Sequence, residues 1–291
     1  MTAGLRKTAA LLALAVMFTG CSAPAESESG AALPDVVGSM DIRYAEQFSV
    51  DYLADGSALA EVADGRRYLI IPDGGEVPEQ LPEDVTVISQ PENIYLASSS
   101  SMDLFSSLDC LGDILASSTP ESGWKLPEIA QAMADEDILY AGKYSSPDIE
   151  LLMSEGCDLA IENMMIYHSP KTAEQIESCG IPVFIERSSA ESHPLGRLEW
   201  VRLYGLMLGK SDEAEKFFSE KCSLLDEVTS RESTGCTAAF FYISSNGSAV
   251  VRKPGDYISK MIELAGGKYV FTAGDLNVDE NALSSANIQF E

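Results

Sequence analysis

The chain has 291 residues, with 46 acidic and 19 basic side chains and a formal net charge of −27 at pH 7. So large an acidic excess excludes nucleic-acid binding, which needs basic clusters to neutralise phosphates. With only two histidines, His168 and His193, a His-rich metal site is excluded as well.

The first twenty residues read as a signal peptide of the lipoprotein kind. Arg6 and Lys7 precede an apolar run over 9–18, and Gly20 stands before Cys21. The run has ten residues, against the roughly 20 that a membrane-spanning helix needs. Cys21 is therefore the expected lipidation site. The mature protein is expected outside the cytoplasm, lipid-anchored at the outer face of the cell membrane or periplasmic. Residues 21–38, rich in Ala, Ser, Glu, Gly and Pro, read as a flexible tether.

Five further cysteines follow: Cys110, Cys157, Cys179, Cys222 and Cys236. An odd number in an exported chain leaves at least one thiol unpaired. Cys157 and Cys179 are candidates for pairing, set against the expectation of mostly free, buried thiols. No CxxC spacing is present, so a zinc knuckle is absent.

Residues 39–90 read as a β-meander with its lead-in. Apolar and polar positions alternate over 44–71, and Asp55-Gly56 and Asp64-Gly65 mark turns between short antiparallel strands. From residue 91 the rhythm changes to strand, polar loop and helix. Strands are expected at 93–97, 138–141, 158–161 and 183–185, each followed by a polar loop and then a helix, the signature of parallel α/β layers. This first lobe is placed at 91–193. A helical spine follows at 194–230, broken at Gly209, with Ser211 as N-cap and a long apolar face through Phe217, Phe218 and Leu225. Residues 231–291 read as part of a second α/β lobe, truncated at its C-terminal end. Only about 60 residues follow the spine, thin for a sheet that must be covered on both faces. The fold expected is α/β: two lobes with mainly parallel sheets, joined by one long interlobe helix, with the meander as an N-terminal addition.

Several stretches carry a resemblance to a known group. Ser145-Ser146-Pro147-Asp148-Ile149-Glu150 and Gly156-Cys157-Asp158-Leu159-Ala160 resemble one unit of it, and Gly180-Ile181-Pro182-Val183 resembles its next strand. His193-Pro194-Leu195-Gly196-Arg197 through Tyr204-Gly205-Leu206-Met207-Leu208-Gly209-Lys210 resembles its passage into the interlobe helix, and Ala265-Gly266-Gly267 resembles a later glycine turn. The group is the substrate-binding proteins of ABC importers for iron-siderophores, haem and cobalamin. The resemblance implies a non-enzymatic, exported binder that takes an iron chelate, haem or corrinoid between two lobes and delivers it to a permease and its ATPase. The ligand is cargo, and no permanently bound cofactor is implied.

Ligands of open α/β sheets bind beyond the carboxyl ends of the strands, which selects the candidate site. Ser99, Ser100 and Ser101 offer hydroxyls before a helix start. Lys143 and Tyr144 can meet an anionic, flat chelate. Met164, Met165, Tyr167 and His168 form the most unusual loop, suited to haem or a soft metal. Arg187 and Arg197 can grip a carboxylate, although Arg197, with Glu199, also suits a purely anchoring role at the helix start. Ser245, Lys253 and Tyr257 face them from the second lobe. Two rival functions remain open: a bare zinc- or manganese-binding lipoprotein built on His168 and His193, and an exported enzyme. For the enzyme, no GxSxG, P-loop or HExxH motif is present.

Overall fold

The computed structural model describes residues 33–289, so the signal segment, Cys21 and most of the expected tether lie outside the described residues. The early alternation becomes a five-stranded sheet. Strands β1 (Val36–Ser39), β2 (Phe48–Leu53), β3 (Ala58–Val62) and β4 (Arg67–Ile71) run antiparallel, and β5 (Val85–Ser89) adds parallel to β4. Alternation decides the faces: Phe48, Val50, Ala60, Val62, Tyr68 and Ile70 enter the main core. Leu53, Leu69 and Ile71 form a smaller cluster on the other side. Gly65, at φ +87°, makes the tight β3–β4 turn, a conformation that glycine adopts without strain. β1 starts inside the stretch read as tether. Its four residues are all exposed, so no apolar period betrays it, and it is held by backbone pairing to β2.

The second sheet has the order β12-β11-β6-β7-β8 and is parallel throughout. Its strands are β6 (Ile94–Leu96), β7 (Ile114–Ser117), β8 (Leu139–Tyr140), β11 (Leu159–Asn163) and β12 (Val183–Glu186), with a small β9 (Gly142–Lys143) and β10 (Ser146–Pro147) hairpin between. Helices α1 (Met102–Ser107), α2 (Pro127–Ala134), α3 (Ile149–Ser154) and α4 (Pro170–Ser178) join them. Pro147 is the last residue of β10. Asp148 then caps α3 by accepting from the Leu151 N–H at 3.0 Å. Both faces of this sheet are covered, one by the main core and the other by a second cluster around Tyr95, Ala160 and Ile185.

The helical spine is two helices, α5 (Pro194–Met207) and α6 (Ser211–Thr229), and α6 runs back along α5. Gly209, at φ +67°, ends α5. Gly205 permits the close return, since a Cβ there would lie 2.4 Å from the Ala214 Cβ. Ala214, Phe218 and Cys222 thus enter the main core, and the expected single connecting helix is a hairpin.

The last part contains β13 (Thr237–Ala238), β14 (Phe241–Ile243), β15 (Ala249–Arg252), α7 (Tyr257–Leu264), β16 (Lys268–Tyr269), α8 (Ala273–Leu276) and β17 (Ser285–Ile288). Its sheet, β14-β15-β17, is antiparallel, where a mainly parallel one was expected; only the two-residue β13–β16 pair is parallel. The Asn246-Gly247 turn between β14 and β15 makes a hairpin, which short connections force to be antiparallel. All five described cysteines are free, Cys157 and Cys179 included. Among the described residues no helix is long and apolar enough to cross a membrane.

Candidate ligand-binding cleft

The carboxyl ends of β6, β11 and β12 meet the start of α5, and the meander closes one side. Glu186, the last residue of β12, is fully buried. It accepts from Ser98 Oγ at 2.8 Å, Ser100 Oγ at 3.4 Å and the Ser188 N–H at 2.6 Å. Ser101 is also buried and shares a 2.9 Å hydrogen bond with the Tyr204 hydroxyl. The serine loop is thus partly spent on internal partners, leaving Ser99 and Ser100 exposed. The helix that follows, α1, has six residues, and Ser101 does not cap it through its side chain.

Next along the edge, Arg187 donates from Nε and Nη2 to Gln47 Oε1 at 3.2 and 3.1 Å. Its Nη1 donates to the Tyr167 hydroxyl at 3.0 Å, and that hydroxyl donates to Asp64 Oδ2 at 2.6 Å. Burial and the Asp64 hydrogen bond both push the Tyr167 hydroxyl above its ordinary pKa, so it is a neutral donor. Gln47 and Asp64 come from one end of the meander, where the Ala63 N–H meets the Gln47 carbonyl at 2.9 Å. Gln47 is itself held from α5's side. Buried Glu199 accepts the N–H groups of Arg43, Tyr44 and Ala45 at 2.7–2.9 Å, and buried Glu191 accepts those of Glu46 and Gln47 at 2.8 and 3.0 Å.

Arg197 is anchored by donating to the carbonyls of Ser189 at 2.6 Å and Glu191 at 3.4 Å. Its guanidinium lies 3.7 Å from the centre of the Tyr257 ring, at the first turn of α7. Asp256 beside it caps α7 through the Ile258 N–H and also accepts from the Ser284 N–H. Beside this contact opens a cleft of about 410 Å3. Gln47, Ser192 and His193 line one wall, and Gly255, Lys260 and Asn281 line the other.

The sequence matches no protein-family model. An uncharacterised lipoprotein of Methanocaldococcus jannaschii is 24% identical over 79% of this chain and 56% of its own length. The chain therefore spans about half of that curated relative. Among solved structures, the periplasmic haem-binding protein HutB of Vibrio cholerae superposes with a TM-score of 0.54 at 14% identity, covering 68% of this chain and 70% of that one. The petrobactin-binding protein YclQ of Bacillus subtilis gives 0.54 at 12%, covering 77% and 68%. The catecholate-siderophore-binding protein VctP of Vibrio cholerae gives 0.53 at 12%, covering 68% and 67%. The fold is that of the periplasmic binding proteins.

On this periplasmic-binding fold the sequence candidates separate. Tyr167 and Arg187 are brought together, as are Arg197 and Tyr257. Lys143 is exposed on β9, while Tyr144 is partly buried against the second core cluster. Met164 is half-buried, Met165 is 50% exposed, and His168 is exposed at the end of the same turn. Ser245 is exposed in the β14–β15 turn, and the half-buried Lys253 binds the Ser284 carbonyl through its backbone N–H. His193 caps α5: its Nδ1 accepts from the Leu195 N–H at 3.1 Å and its ring stacks on Tyr44 at 4.7 Å. Burial and then Lys260 lower its pKa, which keeps it neutral with the proton on Nε2. Nδ1 is thereby spent on the helix cap. Among the described residues no three His, Cys, Asp or Glu side chains group closely enough to hold one.

Sequence reasoning missed Gln47, Asp64 and Lys260, and it placed Glu186 at the rim without a role. A local signal existed for Asp64 alone, whose Asp-Gly turn marks a strand end at the sheet rim.

Proposed function

We propose that this protein is the extracytoplasmic solute-binding component of an ABC importer, taking an anionic metal chelate such as an iron-siderophore, haem or a corrinoid. The observation that carries this reading is the 3.7 Å stack of Arg197 on Tyr257, which brings α7 against the loops at the carboxyl edge of the parallel sheet. A cleft lies beside it. Lys260 lines it together with Glu46, while Arg187, bonded to the lining Gln47, and Arg197 stand at the neighbouring edge of the sheet. The haem- and siderophore-binding proteins that share the fold support a chelate as cargo.

The lipoprotein relative supports export and anchoring through Cys21. Binding without turnover fits a region in which the Glu186, Glu191 and Glu199 carboxylates are spent on internal hydrogen bonds. The bare-ion reading is disfavoured because His193 Nδ1 is spent on the α5 cap and, among the described residues, no three His, Cys, Asp or Glu side chains group closely enough to hold an ion.

Titration with haem, cobalamin and ferric siderophores tests this, followed by quenching of Trp124 and Trp200. Saturable one-to-one binding to a chelate is expected. Binding to Zn2+ or Mn2+ alone, or turnover of the chelate, overturns the reading.

A further inference from the structure

We infer that Asp64 and Gln47, both from the meander, position the Arg187 guanidinium so that one N–H on each of its Nη nitrogens is left for a forked oxyanion of the bound solute. The inference rests on the solute-binding reading and names the ligand feature that this edge recognises.

A guanidinium carries five N–H groups in one plane. Gln47 Oε1 takes the Nε edge through Nε and Nη2, and Tyr167 takes one N–H of Nη1. Two remain, one on each Nη nitrogen, and where Tyr167 takes the Nη1 N–H on the Cδ side these two point the same way and meet a carboxylate bidentately. The direction of the chain is set as well. Asp64 accepts the Tyr167 proton at 2.6 Å, so the Tyr167 oxygen has only lone pairs to offer Arg187. That relay cannot reverse, because the guanidinium has no lone pair to accept with.

The partners of Arg187 are neutral. Arg66, Arg67, Arg202, Arg231 and Arg252 each form an ion pair with a carboxylate, and among the described residues Arg187 forms none. In a chain with 46 acidic residues, an arginine at the carboxyl edge of the sheet held by an amide and a phenol keeps its full charge for an incoming anion. Arg197 differs, because two carbonyls and the Tyr257 ring already occupy it.

The test uses gallium(III) citrate, a diamagnetic carboxylate chelate, together with haem. Affinities are measured by calorimetry, and the guanidinium resonances of Arg187 are followed by 15N NMR. Wild type is expected to show separate Nη signals that shift with ligand. Asp64→Asn and Tyr167→Phe merge those signals. Arg187→Lys weakens binding by about tenfold or more, the scale of a charge-assisted pair. Asp64→Asn weakens it less, and the Asp64→Asn/Arg187→Lys double variant binds no worse than Arg187→Lys alone, because Asp64 acts through Arg187. Unchanged affinity in Arg187→Lys, fully additive losses in the double variant, or unchanged Nη signals in Asp64→Asn each overturn the inference while leaving the solute-binding reading standing. Wild type that binds neither probe nor any other chelate overturns that reading, and the inference with it.

Discussion

The Glu199 carboxylate accepts the backbone N–H of Tyr44 at 2.7 Å, across 155 positions of sequence. It does the same for Arg43 and Ala45, and Arg202 pairs with it at 3.1 Å while donating to the Asp41 carbonyl. Glu191 continues the row with Glu46 and Gln47 and also accepts from Trp200 Nε1. Five consecutive N–H groups, none satisfied by a sheet, are thus held by two side chains. Gly196 lets the segment lie this close: a Cβ there would stand 2.8 Å from the Tyr44 carbonyl.

Removing one of these carboxylates leaves donors without acceptors. Glu199→Ala is expected to lower stability by about 3 kcal/mol, the cost of stranding several partly buried N–H groups. Denaturant unfolding measures the loss. Hydrogen exchange should speed at 43–45 before it does in β3 or β4.

Glu162 sets the pH dependence. It is fully buried at the end of β11, neither oxygen has a hydrogen-bond partner, and burial raises its pKa to about 8. The unfolded chain releases this proton near the ordinary 4.5 while the native state keeps it. The contribution of Glu162 to stability therefore falls as pH rises from about 4.5 to about 8, since the native state holds this proton across that window. Glu162→Gln removes this term. It is expected to raise the melting temperature at pH 8, leave it nearly unchanged at pH 4.5, and flatten the profile between.

The helical hairpin gives a compensation test. Gly205→Ala forces its methyl into Ala214 and the Lys210 carbonyl. It should cost about 1–3 kcal/mol, as overpacking does. Adding Ala214→Gly relieves one clash but leaves the carbonyl contact and adds the helix penalty of glycine, so about half of the loss should return. Thermal unfolding of the three variants reads it.

Tyr257→Ala removes the ring beneath Arg197. The expected cost is about 1 kcal/mol, the scale of an exposed or half-buried cation–π contact. Chelate affinity should fall further than stability does, because this contact draws α7 toward the sheet. Calorimetry beside chemical denaturation separates the two effects.

The parts of the fold legible in the sequence are those where burial follows a period. The meander shows through Val50, Ala60 and Tyr68 with its Asp-Gly turns, and the parallel strands show as short apolar runs before polar loops. β1 was hidden because its edge position buries nothing. The reversal into α6 was half visible: Gly209 marks the break, but its direction depends on Gly205 meeting Ala214, a contact without a local signal. The site divides in the same way. Tyr167 and Arg187 follow strands and could be found there. Gln47 and Asp64 reach the edge from a different sheet. Glu199 stood out beside Arg197 at the helix start, but its partners at 43–45 and those of Glu191 lie about 150 positions away and leave no local signal.

The row of N–H groups held by Glu191 and Glu199 also orders assembly in time. Residues 43–47 leave the ribosome about 150 positions before the carboxylates that bind them. The meander can pair its own strands early, yet its docking must wait for α5. Contacts of such sequence separation slow folding, because a long loop must close before they form. The first strands made are among the last to be secured, so the docking face of the meander stays open to solvent, or to a chaperone, until α5 arrives.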